Sequence, residues 1–249
     1  MKVLAIIPAR YGSTRFPGKP LVDIAGKPMI RHVYENASKI AVISHLMVAT
    51  DDERIEKAVL SFGGNVMMTS SEHQSGTDRC NEVVQNLLKQ GLTFDIVVNI
   101  QGDEPFVDAS QIEALVSCFQ KDPATEIATL KKQIINSEEL FSPNVVKVVT
   151  DIRQNAIYFS RNPIPYFRGN DENMWVEKRK YFKHIGIYAY SFLTLQKVVV
   201  LAQSELELAE SLEQLRWIEN GYKIKIVETS VENVSIDTPE DLLKIKHTS

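Results

Sequence analysis

The chain has 249 residues, 44% of them hydrophobic, enough for one large α/β domain or two small ones. A net charge of -4 excludes a basic field for nucleic acid or anionic lipid, so an anionic substrate must be held by a local cluster of cations. Cys80 and Cys118 show neither metal-ligand spacing nor a disulfide framework, which fits two core residues in a reducing compartment. The first element is the apolar run 3–7, a strand too short for the core of a signal peptide or for a membrane span, so the expectation is a cytoplasmic protein without membrane insertion.

That strand stops at Pro8-Ala9 and opens into a loop, residues 10–20, that carries Arg10, Arg15 and Lys19 together with Gly12 and Gly18. Backbone N–H groups and fixed cations in a Gly/Pro loop after a strand are suited to phosphate, and so to a nucleotide. Spacing excludes the two familiar phosphate loops. Five residues separate Gly12 from Gly18 and Pro20 follows Lys19, which breaks the Walker pattern; a dinucleotide loop needs a third glycine at the start of a helix.

Further apolar runs at 46–49, 65–68, 95–100 and 145–149 read as strands, with helix-like segments at 28–39, 52–61, 77–89 and 110–120. The alternation implies a mostly parallel sheet with helices on both faces, and ligands beyond the carboxyl ends of its strands. Three such ends carry polar residues: the loop after Ile7, Asp51-Asp52 after Thr50, and Gln101-Gly102-Asp103 after Ile100. Asp51 or Asp52 is read as the cap of the helix that follows. Asp103 divides evenly between a magnesium ligand and a residue that closes its own turn. Asp237 or Thr238 can cap a last helix with Pro239 in its first turn. From about residue 155 the pattern loosens into aromatic and Pro-containing segments, read as an inserted, more antiparallel element. Trp175 and Trp217 lie outside basic stretches and are read as packing residues.

The run IIPARYGSTRFPGKPL from Ile6 resembles the amino-terminal signature of the sugar-acid cytidylyltransferases. VATDDERI from Val48, HQSGTDR from His73, NIQGDEPF from Asn99, KHIGIYAY from Lys183, and ESLEQLRW followed by SIDTPEDL are similar to the same family, in family order. The resemblance is closest to the branch that activates 3-deoxy-manno-octulosonate (Kdo) for lipopolysaccharide biosynthesis. The branch that activates N-acylneuraminate usually has a Gly-Gly-Ser-Lys run where this chain has Tyr11-Gly12-Ser13-Thr14. The 8-amino analogue of Kdo, and a nucleotide-sensing protein without turnover, stand as alternatives.

The resemblance implies a single nucleotide-diphospho-sugar transferase-like α/β domain. Its nucleotide part would span about 1–150, its sugar-binding and dimer-forming element about 155–215, and its closing strand and helix about 222–247. It implies CTP and Kdo as substrates, Mg²⁺ held by Asp103 and Asp237, and a homodimer. Arg10, Arg15 and Lys19 would act on the triphosphate. Pro8, Ala9, Ser13, Ser75, Arg79 and Gln101 would line the nucleotide site. Gln101, Arg161, His184, Tyr188, Glu213 and Gln214 would bind the sugar. His73 is given no role.

Overall fold

The computed structural model describes residues 1–12, 16–232, 236 and 241–242. Arg15, Ser13 and Asp237, three of the expected site residues, lie outside them, as does Thr238. The chain divides into two compact units, one built on Met1–Val116 and the described residues beyond 232, the other on Ser117–Glu232.

The strands of the first unit are β1 (Val3–Ala9), β2 (Asp23–Ile24), β3 (Lys27–Pro28), β4 (His45–Thr50), β5 (Val66–Met68) and β6 (Ile96–Asn99). Its helices are α1 (Met29–Ala37), α2 (Glu53–Ser61) and α3 (Gly76–Lys89); α4 (Ala109–Lys121) runs across the division into the second unit. The main strands lie in the order β6-β1-β4-β5, all pairs parallel, and β2 and β3 form a small antiparallel pair. Parallel strands buried on both faces read as unbroken apolar runs, and Leu4, Ala5, Ile6, Ile7, Ile96, Val97 and Val98 are all fully buried.

The order matters for the site. From β1 the chain builds outward through β4 and β5, then returns to place β6 on the other side of β1. The loops that leave β1 and β6 therefore flank the point where the winding reverses, the usual crevice of an open α/β sheet.

In the second unit β7 (Ile127–Ile134) is flanked by β11 (Ile224–Glu228), parallel to it, and by the long antiparallel β10 (Tyr181–Ser191). β8 (Lys147–Thr150) pairs antiparallel with β10 and with β9 (Ala156–Ser160). Helices α5 (Ser137–Phe141), α6 (Trp175–Lys178), α7 (Phe192–Val198), α8 (Glu205–Glu210) and α9 (Gln214–Glu219) complete it. The antiparallel element expected after residue 155 is present as β9 and β10 but starts earlier, since β8, read from the run 145–149 as part of the mostly parallel alternation, also pairs antiparallel; its neighbour β7 is a strand that the apolar pattern does not reveal. Trp175 and Trp217 are buried, Trp175 stacking on Tyr181 with ring centroids 6.0 Å apart. Cys80 is buried, whereas Cys118 keeps partial exposure. No helix among the described residues is long and apolar enough to cross a membrane.

Candidate active site

In the first unit a cavity of about 270 Å³ opens at the reversal point, lined among others by Pro8, Ala9, Arg10, Lys19, Ser75, Arg79, Gln101 and Asp103. These eight are expected site residues, and they come from three loops distant in sequence. The loop after β1 is folded back on itself. Gly18 adopts φ +72°, donates its N–H to the Tyr11 carbonyl at 2.9 Å, and begins the 3-10 turn Lys19–Leu21. A Cβ at Gly18 would lie 3.1 Å from the Tyr11 ring, so both its dihedral and its contact favour glycine. That ring also carries the Arg54 guanidinium, 3.3 Å from the ring centroid. Asp52 holds Arg54 in turn, with its carboxylate accepting from the guanidinium at 2.6 and 2.9 Å.

Lys19 is thereby aimed into the cavity, where its Nζ donates to Asp103 Oδ2 at 2.7 Å. The cation expected on phosphate and the carboxylate expected on metal are thus paired with each other. Gly102 lets Asp103 approach so closely: a Cβ there would meet the Pro8 carbonyl oxygen at 2.6 Å. The Asp103 carbonyl accepts from the N–H of Ile236 at 3.1 Å, and Ile236 is the residue before Asp237.

The third loop ends in α3. Ser75 is its N-cap, accepting from the Asp78 N–H at 3.1 Å while Asp78 accepts from the Ser75 N–H, so the capping box fixes the first turn at the cavity wall. Ser75 thus has a structural task beside the one expected for it. Arg79 is 4% exposed and donates to Thr69 Oγ1 at 2.6 Å and to Asp51 Oδ2 at 3.0 Å. Of the two acids after β4, Asp52 caps α2 and Asp51 orients Arg79. His73 also lines the cavity, its Nε2 2.5 Å from Glu82 Oε2. The backbone N–H of Ser70 and His73 hold the Glu82 carboxyl below its ordinary value against the opposing effect of burial. Neither Asp51 nor His73 carries a local signal, since each acts through a partner distant in sequence.

The remaining expected residues gather in the second unit. Burial pushes the His184 imidazole down to about 3, so it is neutral, and its Nε2 lies 3.0 Å from Thr129 Oγ1. Its ring meets Tyr188 at 5.3 Å, and Tyr188 packs edge-on against Trp217 at 5.2 Å. Burial, and after it the Glu213 carboxylate, raise the Tyr188 phenol well above its ordinary value, which brings Glu213 into the same cluster. Gln214, in helical sequence that alone reads as exposed surface, is 6% exposed. Arg161 donates from Nε to the Glu210 carbonyl at 2.7 Å, from Nη1 to Pro143 O at 3.0 Å and from Nη2 to Ser211 O at 3.4 Å. Three of its five N–H groups are committed to backbone, which leaves two for a ligand. The buried Lys147, its ammonium surrounded by the carbonyls of Ser142, Val145 and Arg161, clamps the same segment; burial lowers its pKa to about 8.

Residues 4–226 match the family model described as cytidylyltransferase. This chain belongs to the cytidylyltransferase family. The 3-deoxy-manno-octulosonate cytidylyltransferase of Parabacteroides distasonis is 53% identical over 248 residues, 98% of this chain and 96% of the relative. A solved structure described as CMP:2-keto-3-deoxy-manno-octonic acid synthetase complexed with CTP is 46% identical, with a TM-score of 0.91 over 100% of this chain and 98% of the other. The likeness reaches a putative glucose-1-phosphate thymidylyltransferase from Bacillus anthracis, at 17% identity and a TM-score of 0.63, covering 99% of this chain and 94% of that one, which speaks for the fold alone.

Proposed function

We propose that this cytidylyltransferase couples CTP to 3-deoxy-manno-octulosonate, giving CMP-Kdo and pyrophosphate. The observation that carries the reading is the Lys19–Asp103 pair inside a cavity at the sheet's reversal point that Arg10 and Arg79 also line. The relatives at about half identity over nearly the whole chain act on 3-deoxy-manno-octulosonate by name, which supports the choice of sugar acid.

The anomeric oxygen of the sugar forms a bond to the α-phosphorus of CTP, the bond from that phosphorus to the bridging oxygen breaks, and the hydroxyl proton passes to solvent. Arg10, Arg15 and Lys19 hold the β- and γ-phosphates and stabilise the charge that grows on the departing pyrophosphate. Arg suits bidentate contacts to phosphate, and Lys supplies a point charge. Gln101, which lines the same cavity as Asp103, would contact the nucleotide. Asp103 and Asp237 would hold Mg²⁺. Their hard oxygen donors, and the Ile236–Asp103 hydrogen bond that brings the chain just before Asp237 against Asp103, fit an ion that takes only one or two carboxylates. When bound, it would neutralise phosphate charge and polarise the reacting phosphorus. A cation held by Asp103 would compete with Lys19 for its carboxylate and so favour contact of the ammonium with phosphate. Arg161, His184, Tyr188, Glu213 and Gln214 would hold the sugar acid, with the spare guanidinium N–H groups of Arg161 for its carboxylate.

We also propose a homodimer, supported by the exposed apolar side chains of Leu193, Val200 and Leu208. Pyrophosphate release, measured with each of the four NTPs against Kdo, 8-amino-Kdo and N-acetylneuraminate, tests the whole reading. Release with CTP and Kdo alone is expected; a stronger signal with another pair overturns it.

A further inference from the structure

Thr129 lies on β7, fully buried, where β10 changes register between Ile185 and Tyr188. The irregularity aims two carbonyls at one hydroxyl: Thr129 Oγ1 is 3.0 Å from Ile185 O and 2.8 Å from Ile187 O, as well as 3.0 Å from His184 Nε2. A threonine hydroxyl has one proton and two lone pairs. Carbonyl oxygens can only accept, so the hydroxyl proton must go to one of them. Were it given to the imidazole instead, two buried carbonyls would face the lone pairs of Oγ1 with no proton between them. His184 Nε2 must therefore carry a hydrogen and donate it to Thr129, and a neutral imidazole with Nε2–H has Nδ1 as an acceptor.

We propose that Thr129 is a positioning residue that fixes His184 as the Nε2–H tautomer, so that Nδ1 accepts a hydrogen bond from a hydroxyl of the sugar acid. This rests on the reading of His184 as part of the sugar site. Thr129, having no exposed surface, reaches the substrate only through the histidine. His184 is half-buried as a residue, and its Nδ1 has no hydrogen-bond partner among the described residues. The ring cannot turn to exchange its nitrogens without cost. Phe159 packs edge-on against it at 5.0 Å, Tyr188 lies at 5.3 Å, and the His184 backbone N–H is held by Val146 O at 2.8 Å. Because burial keeps the imidazole neutral far below neutral pH, the acceptor persists across the working range. The site therefore asks for a ligand group with a proton to give, which a polyhydroxylated substrate has and a deoxygenated or O-methylated analogue at that position lacks.

The test uses the full chain labelled with ¹⁵N-histidine. Two-bond ¹⁵N–¹H correlations of the ligand-free protein report the His184 tautomer directly, and steady-state kinetics report KM for Kdo and for CTP. The wild type and Thr129→Ser, which keeps the hydroxyl, are expected to show Nε2–H. The isosteric Thr129→Val is expected to lose that preference and to raise KM for Kdo about tenfold, the value of one neutral hydrogen bond, with KM for CTP unchanged. An Nδ1–H imidazole in the wild type overturns the inference whether or not Thr129→Val folds, as does a valine variant that keeps the wild-type KM for Kdo. The underlying reading fails separately: His184→Ala with an unaltered KM for Kdo would remove the histidine from the sugar site while leaving the tautomer result intact.

Discussion

Gly102→Ala puts one methyl group where the structure has no room for it. The added Cβ would lie 2.6 Å from the Pro8 carbonyl oxygen, 3.6 Å from the Pro8 carbonyl carbon and 3.7 Å from Ala9 Cβ. The obstacle is backbone at the carboxyl end of β1, not a side chain that can swing away. To reach an ordinary separation, the loops after β1 and β6 must part by roughly half an ångström or more, at about 1–3 kcal/mol for an overpacked site. At the scaling of a domain this size the melting temperature falls by roughly 2–12 °C. The larger effect is on catalysis, because Pro8, Ala9 and Asp103 line the same cavity, and a displacement approaching 1 Å can cost about 100-fold in rate. Differential scanning fluorimetry and pyrophosphate release should therefore show a modest loss of stability with a 10- to 100-fold loss of kcat/KM, about the range that such misplacement gives. Gly76→Ala is the control for stability: its Cβ would meet nothing closer than 3.5 Å, and its melting temperature should not fall. A Gly102→Ala enzyme with wild-type stability and turnover would refute the close approach of the two loops.

Asp51→Asn removes the charge that orients Arg79, and a buried guanidinium left with a neutral partner should raise KM for CTP about tenfold or more with a smaller effect on KM for Kdo, as steady-state kinetics would read. His184 binds its proton only near pH 3 when folded but near 6.5 when unfolded, so the unfolded state takes up more protons as pH falls between those values. Its contribution to stability is complete above pH 6.5 and is lost at up to about 1.4 kcal/mol per pH unit below it; urea denaturation at pH 7 and 5.5 should show a steeper loss for the wild type than for His184→Asn. Arg216 and Glu207 form a buried bidentate pair at 2.6 and 2.6 Å, so Arg216→Met should cost about 3–5 kcal/mol in chemical denaturation, with part recovered when Glu207→Leu is added. In sedimentation the wild type is expected as a dimer and the Leu193→Lys, Leu208→Lys double variant as a monomer.

How much was legible in the sequence follows from how local each cause is. Strands β1, β4 and β6 are parallel and buried, so they stand out as apolar runs, and the loops at their ends are where the cavity forms. β7 is not legible in the same way because Lys131-Lys132-Gln133 interrupts it. The ammonium of Lys131 is accommodated only by distant partners, 2.8 Å from Gln154 Oε1 and 4.2 Å from the centre of the Phe182 ring. The same limit separates Asp52 from Asp51. A helix cap is a local event and was foreseen for one of the two acids, whereas the pairing of Asp51 with Arg79 spans 28 residues. Thr129 belongs to no motif; its role arises from a register shift in the strand beside it.

The central claim, that Asp103 serves the metal and CTP rather than only closing its own turn, is tested most directly by pyrophosphate release from CTP and Kdo during a Mg²⁺ titration of wild type and Asp103→Asn. Turnover that depends on Mg²⁺ in the wild type and is lost in a folded Asp103→Asn protein is the predicted result. A variant that keeps wild-type turnover at the same Mg²⁺ concentrations would contradict it.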